Sequence, residues 1–369
     1  MPDTTTLFLC GDVMPGRGID QILPHPGDPR LFEPHVTSAA TYVALAERAG
    51  GPIPKPVDFR YVWGDALAEL ERVKPDARIV NLETAVTRSR TPEPKAINYK
   101  MNPDNMPCLS AAGIDCCVLA NNHVADWGYP GLTDTLEILA AAGIRTAGAG
   151  RDAVRAEAPA IVGIAGTRRV LVFAFGSPGS GIPSGWAAGP GKPGVNLLAD
   201  FSDRTAARIA AHVRAVKRPG DVLVASIHWG GNWGYPIPGK HRHFARALID
   251  GAGFDIIHGH SSHHALGIEI YRGKPILYGC GDFLNDYEGI GGYEEFRGDL
   301  AVMYLPSLSV SDGKLATFKL VPFQIRGFRL NRASGEDGMW LCDTLDRESA
   351  RFGTRVIPNE DGTLAVRWP

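Results

Sequence analysis

Five short polar clusters each follow an apolar run in this chain, and that repeated arrangement narrows the folds open to it. They are Gly11-Asp12-Val13-Met14, Asn81-Leu82-Glu83, Asn121-Asn122-His123, His228-Trp229-Gly230 and Gly259-His260-Ser261-Ser262-His263. The apolar runs before them, 7–10, 77–80, 116–119, 222–227 and 254–257, read as buried strands. Parallel strands that each end in Asp, Glu, Asn or His bring those ends to one crevice at the carboxyl edge of a sheet. Oxygen and nitrogen donors gathered in this way suit a divalent metal ion.

Between the strands the pattern turns helical, at 63–73, 133–142, 204–216 and 243–251, with a further short strand at 144–147. Such alternation predicts an α/β fold with a largely parallel, helix-covered sheet. From about 300 onward the pattern becomes β, at 300–304 and 319–325. We expect these strands to complete a second sheet, followed by a helix near 340–351. The Pro-rich stretch 20–60 reads as an irregular insertion. The Gly- and Pro-rich stretch 176–195 has the length of a lid or binding loop. No boundary or linker divides the chain, so residues 1–369 read as a single domain.

Composition excludes several classes. An apolar content of 44% and a charged content of 21% are ordinary for a globular protein. A net charge of -2 gives no reason to expect a nucleic-acid or anionic-membrane partner. The N-terminus has neither a basic region nor an apolar segment of membrane-spanning length, and the sequence reads as cytoplasmic. The six cysteines form no CxxC pair and are expected as buried free thiols.

The clusters supply named candidates. Asp12 and Glu83 are the expected carboxylates, although Asp12 could instead cap the next helix and Glu83 could be a solvated acid. Asn122 and His123 suit a metal or an oxyanion, and Asp126 lies where it can orient His123. His228 would pass for a core histidine if it stood alone; its place among the strand ends argues for the site. Of the crowded His258, His260, His263 and His264, we expect His260 and His263 to face the site and the other two to support it or point away. His25, His35, His212, His241 and His243 are read as surface residues. Asp282 ends a further apolar run and can add a carboxylate to the rim. Lys95, Tyr99 and Lys100 suit an anionic group, and Trp229 beside His228 is a candidate substrate contact.

In this order the clusters resemble the CapA-like family, named for poly-γ-glutamate capsule synthesis, within the calcineurin-like metallophosphoesterases. The stretches that carry the resemblance are Gly11-Asp12-Val13-Met14, Asn81-Leu82-Glu83-Thr84, Ala120-Asn121-Asn122-His123 and residues 267–276. It implies a four-layer αββα sandwich with the site between two sheets. It also implies Asp12, Glu83, Asn122, His228, His260 and His263 as ligands of a divalent ion, with no organic cofactor. Met14 stands where the Asp-x-His motif of the phosphoesterases has its histidine. A thioether is a poor ligand for such an ion, so one of two metal positions is expected to be compromised and phosphatase activity weak.

Three functions follow. The preferred one is acid–base inversion of a Cα centre, as in peptide epimerases of lasso-peptide biosynthesis or in D-residue-containing polyglutamate. Its catalytic residues would come from His123, Asp126, His260, His263, Asp12 and Glu83. The substrate would be a peptide or polyglutamate chain, with a precursor peptide and its leader-binding protein as partners in the lasso-peptide case. The others are a metal-dependent phosphoesterase or amide hydrolase, and a non-enzymatic capsule-assembly protein.

Overall fold

The computed structural model describes residues 4–369. Its larger sheet runs in the order Arg355–Pro358, Leu364–Arg367, Leu315–Ile325, Leu300–Ser309, Thr4–Val13, Ala77–Leu82, Cys116–Val118, Arg145–Ala147. Asp282–Leu284 pairs with Thr4–Val13 in addition. The smaller sheet runs Ile268–Tyr271, Lys274–Leu277, Ile256–His260, Val222–His228, Arg169–Gly176, Ala160–Gly163.

Alternation along the strands sorts their side chains into three cores. Leu7, Leu9, Ile79 and Val118 face Val170, Val172, Val224 and Ile256 between the two sheets. Phe8, Cys10, Val80 and Cys117 point the other way, onto Leu70, Leu132 and Leu139 of the helices Ala66–Val73 and Gly128–Ala141. Leu171, Phe173, Leu223 and Ile257 cover the second sheet's outer face with Ile209, Val213 and Phe244 of Asp203–Val216 and Gly239–Ala247. Helices, sheet, sheet and helices follow one another: the expected four-layer αββα sandwich. All six cysteines are buried free thiols.

Several expectations need correction. The strands beyond 300 do not build the second sheet. Leu300–Ser309 pairs antiparallel with Thr4–Val13, and Leu315–Ile325 pairs antiparallel with Leu300–Ser309, so both extend the first. Thr4–Val13 is therefore parallel to Ala77–Leu82 on one side, and on the other antiparallel to Leu300–Ser309 and, at its Asp12 end, parallel to Asp282–Leu284. The stretch 20–60 is not wholly irregular, because Ala40–Gly50 is a helix that buries Tyr42, Val43 and Ala46. Asp12 lies within its strand rather than after it, while His228 and His260 are the last residues of theirs. The stretch 176–195 holds two short 3-10 turns and buries Ile182 and Trp186. The Ser177 N–H and the Ser180 hydroxyl both donate to the His228 carbonyl, each at 3.0 Å, which ties this loop to the strand ends.

Candidate active site

Parallel pairing sets Asp12 opposite Asn81 on one side and opposite Asp282 on the other. Amide side chains then fix the carboxylates. Asn81 Nδ2 donates to Asp12 Oδ1 at 2.8 Å and to Glu83 Oε2 at 3.0 Å. Asn121 Nδ2 donates to Asn81 Oδ1 at 2.9 Å, and Asn121 Oδ1 accepts from the backbone N–H of His123 and of Val124. Asn81 and Asn121 stand in the sequence clusters, but their part as orienting amides was not read there. Asp12 Oδ2 is buried with no hydrogen-bond partner. Burial, together with the charge of Asp282, pushes the Asp12 carboxyl up to about 7. Glu83 is raised well above the usual range by burial and by Asp12.

The histidines form a directional chain. His258 Nε2 donates to the Cys10 carbonyl at 2.7 Å, so its Nδ1 accepts from the Ser226 hydroxyl at 3.1 Å. The Ser226 oxygen then accepts from His260 Nε2 at 2.9 Å, leaving His260 Nδ1 as a lone pair. His228 Nε2 bonds Asn122 Oδ1 at 3.0 Å, so its Nδ1 is a lone pair too. Those two Nδ1 atoms lie 2.8 Å apart. Desolvation holds both rings well below the ordinary imidazole pKa, so both are neutral. On the other flank His263 Nδ1 bonds Asp282 Oδ1 at 2.9 Å, and Asn285 Nδ2 holds Asp282 Oδ2 at 2.8 Å. The Asp282 charge raises His263 despite its burial.

Donor atoms of Asp12, His228 and His260 all come within 4.8 Å of one another, and so do those of Asp12, His263 and Asp282. The set fits divalent ions. It offers neutral imidazoles, a carboxylate oxygen without a partner, and two nitrogen lone pairs that repel unless something positive lies beside them. Asp282 bears on the Met14 expectation, because it offers a carboxylate on the flank where the motif's histidine is absent. The sequence places it at the rim as the end of an apolar run; it opens the strand Asp282–Leu284 instead, and its register with Asp12 brings it to the rim. Met14 is buried, with its sulfur 3.9 Å from the Tyr287 hydroxyl.

His123 borders the carboxylates from a third side, with Nε2 3.9 Å from Glu83 Oε1. Its Nδ1 bonds Asp126 Oδ2 at 2.6 Å. Asp126 also accepts from Lys95 Nζ at 2.5 Å and from the Tyr99 N–H at 2.7 Å. Burial lowers His123 to about 4. The ring can exchange a proton through Nε2 while Asp126 holds the other nitrogen.

Other expected contacts are placed differently. Trp229 does not face the site. Strand alternation turns it to the outer face, where its ring stacks on His241 with centroids 4.8 Å apart and its N–H bonds the Tyr278 carbonyl. His241 is accordingly buried rather than on the surface. Tyr99 is a wall, its ring edge-on to His123 and its hydroxyl bonded to that of Tyr287. Lys100 Nζ sits 3.6 Å over the Trp127 ring. His260 Nε2 is committed to Ser226 and its lone-pair Nδ1 faces that of His228, which places the ring as a ligand rather than a proton carrier. His258 supports the site through Ser226, whereas His264 accepts from the Gly234 N–H and stacks on Trp233.

A model of the family described as "Bacterial capsule synthesis protein PGA_cap" matches residues 6–287. The chain belongs to this family. It is 50% identical to a probable polyglutamine synthesis accessory protein of Mycobacterium tuberculosis, over 99% of this chain and 96% of that one. It is 27% identical to the PGA biosynthesis protein CapA of Bacillus subtilis, over 98% and 82% of the two chains. A solved structure titled a novel phosphatase, from Mycoplasma pneumoniae, aligns with 88% of this chain and 95% of its own at 10% identity and a TM-score of 0.46. That likeness is too distant to carry an argument. Among the described residues no helix is long and apolar enough to cross a membrane.

Proposed function

We propose that this CapA-like chain is a metal-dependent enzyme acting on a polyglutamate-type chain, at an amide carbonyl of the polymer. The observation that carries the reading is Asp12, whose carboxylate is shared by two candidate ligand triads, His228 with His260 and His263 with Asp282. Glu83 and Asn122 lie beside them. Divalent ions held there would polarise a carbonyl or phosphoryl oxygen as Lewis acids. The substrate class comes from the relatives, whose names speak of capsule, PGA and polyglutamine synthesis.

In this reading His123 moves the proton. Asp126 accepts from Nδ1, which fixes the tautomer and leaves Nε2 to take up or give back a proton beside Glu83. Lys95 holds Asp126 in place. The segment 176–195, tied to His228, covers the Asn122 side of the same catalytic unit, which we take to span the whole chain.

Inversion at Cα is the second reading. It is favoured by the two histidines that each lean on an aspartate, His123 on Asp126 and His263 on Asp282, beside the Asp12–Glu83 pair. Such pairs suit proton removal on one face and return on the other. Incubation of glutamyl oligomers with a divalent ion in D2O separates the two by mass. Fragments or transfer products that vanish in Asp12→Ala support the first; a one-unit gain without cleavage selects the second. No change with any ion would sink both and favour an assembly role.

A further inference from the structure

A cavity of about 230 Å3 is lined by Tyr235, Ile237, Arg242, Glu348, Arg351 and Phe352. It lies where the approach to helix Gly239–Ala247 meets the end of helix Gly335–Ala350. Tyr235 joins it to the loop that carries His263, its ring edge-on to His264 with centroids 4.8 Å apart.

Positive charge outweighs negative around this cavity. Glu348 is the one carboxylate in the wall. It is buried and already held twice, by Arg347 Nε at 3.1 Å and by Arg351 Nη2 at 3.0 Å. The Arg347 guanidinium also lies over the Tyr235 ring, 5.6 Å from its centre. Arg242 has no such partner. Its Nε is buried without a hydrogen bond, and no carboxylate among the described residues pairs with its guanidinium, which sits 4.8 Å from the centre of the Phe352 ring. A partly desolvated cation without a counter-ion is costly, so the site lacks an anion.

Three guanidiniums around one carboxylate leave two positive charges. One further carboxylate would cancel only one of them. A phosphate-type dianion cancels both, and its oxygens match the guanidinium fork. The volume falls below the roughly 300–1,000 Å3 of a drug-sized ligand site, so it admits a phosphoryl group with a small appendage and not a run of polymer units.

We infer that this cavity binds a phosphate-type dianion, either inorganic phosphate or the phosphoryl end of a small phosphomonoester. The terminal nitrogens of Arg242 hold it, with Arg351 and Arg347 beside them. The metal site plays no part in this binding.

Calorimetric titration of the full chain tests it, with a chelator present so that no cation at the metal site can hold the anion. Inorganic phosphate is expected to bind once per chain with a Kd of about 1 mM or tighter, and acetate at least about tenfold more weakly. Added sodium chloride should weaken phosphate binding by screening the attraction. Arg242→Met should weaken it at least about tenfold. Because Arg242 is packed on Phe352, Arg351→Gln serves as a second variant. The Arg351 side chain is 56% exposed and Arg347 still pairs Glu348, so the melting temperature should hold while phosphate weakens. Phenyl phosphate separates the two sources. Tighter binding than inorganic phosphate supports a phosphomonoester, and equal or weaker binding supports free phosphate. Acetate as tight as phosphate, no binding up to about 10 mM, or binding untouched by both arginine variants would overturn the proposal. So would phosphate binding that is lost in Asp12→Ala, which would place the anion at the metal site.

Discussion

His228 Nδ1 and His260 Nδ1 lie 2.8 Å apart, and the partners of their other ring nitrogens leave a lone pair on each. Two lone pairs at that distance repel, and the unpartnered Asp12 oxygen adds a third acceptor to the cluster. A cation is what such a cluster lacks. The protein is therefore expected to bind two divalent ions per chain and to melt at higher temperature with them. An ion present at about 100 times its Kd adds roughly 2.7 kcal/mol. Asp282→Asn should lower the stoichiometry to one, and Ser226→Ala should weaken the His260 side. Elemental analysis after dialysis reads both. If Asp282→Asn still bound two ions, the role given to Asp282 would be wrong.

Without metal, the same carboxylates make stability fall as pH rises through neutrality. Asp12 is pushed up to about 7 from a usual value of 3.8, and Glu83 and His263 are also raised. In each case the folded state binds the proton more tightly than the unfolded state, so the contribution is lost as pH rises through the folded pKa. The depressed histidines act oppositely, but below their unfolded value of 6.5. Above pH 6.5 the raised groups stand alone. Urea denaturation of the metal-free protein should give lower stability at pH 8 than at pH 6.5, and Asp12→Asn should flatten the difference.

Most of the site was legible because strand ends are legible. An apolar run followed by Asp, Asn or His gives both the strand and the edge at which its last residue sits. What lay outside that rule was read less well. Asp282 reads as a rim residue at the end of an apolar run, whereas it begins its strand and reaches the edge through pairing with Asp12. Trp229 follows His228 directly, and period-two alternation alone would have sent it to the opposite face. The strands Leu300–Ser309 and Leu315–Ile325 have a pattern that says strand but not which sheet. Their place follows from long-range antiparallel register with Thr4–Val13, which no local spacing encodes.

Trp229 gives a separable test of that correction. Its ring is packed among His241, Tyr278 and Phe201 on the far side of the sheet. Trp229→Ala should cost about 3–5 kcal/mol of stability through the cavity it leaves. KM for whichever oligomer proves to be the substrate should stay unchanged in the folded fraction. A large KM effect with intact stability would restore the ring to the substrate side.

Arg17 carries a structural load of another kind. It is a buried guanidinium at φ 48°, sandwiched between Tyr42 and Tyr99 and paired with Asp286 and Glu33. Arg17→Met would leave those two carboxylates buried without their cation, and should cost about 3–5 kcal/mol. Because Asp286 precedes Tyr287, whose hydroxyl bonds Tyr99, the loss should also loosen the wall beside His123. Denaturant titration checks the first effect and proteolysis between residues 285 and 299 the second.

The proton-handling role of His123 can be examined without knowing the substrate. Burial depresses its imidazolium to about 4, the Asp126 carboxylate opposes that shift, and the Lys95 ammonium reinforces it. Removing the ammonium in Lys95→Met should therefore move the His123 titration upward, and removing the carboxylate charge in Asp126→Asn should move it downward. NMR of the labelled imidazole follows both directly. Once a turnover assay exists, Asp126→Asn should lower kcat by roughly 100- to 10,000-fold, the usual span for a positioned acid or base. Ion stoichiometry should stay the same, because Asp126 touches His123, Lys95 and Tyr99 and belongs to neither ligand triad. A titration that shifts the wrong way in Lys95→Met, or an Asp126→Asn enzyme with full kcat, would remove His123 from the chemistry and leave it as a wall of the metal site.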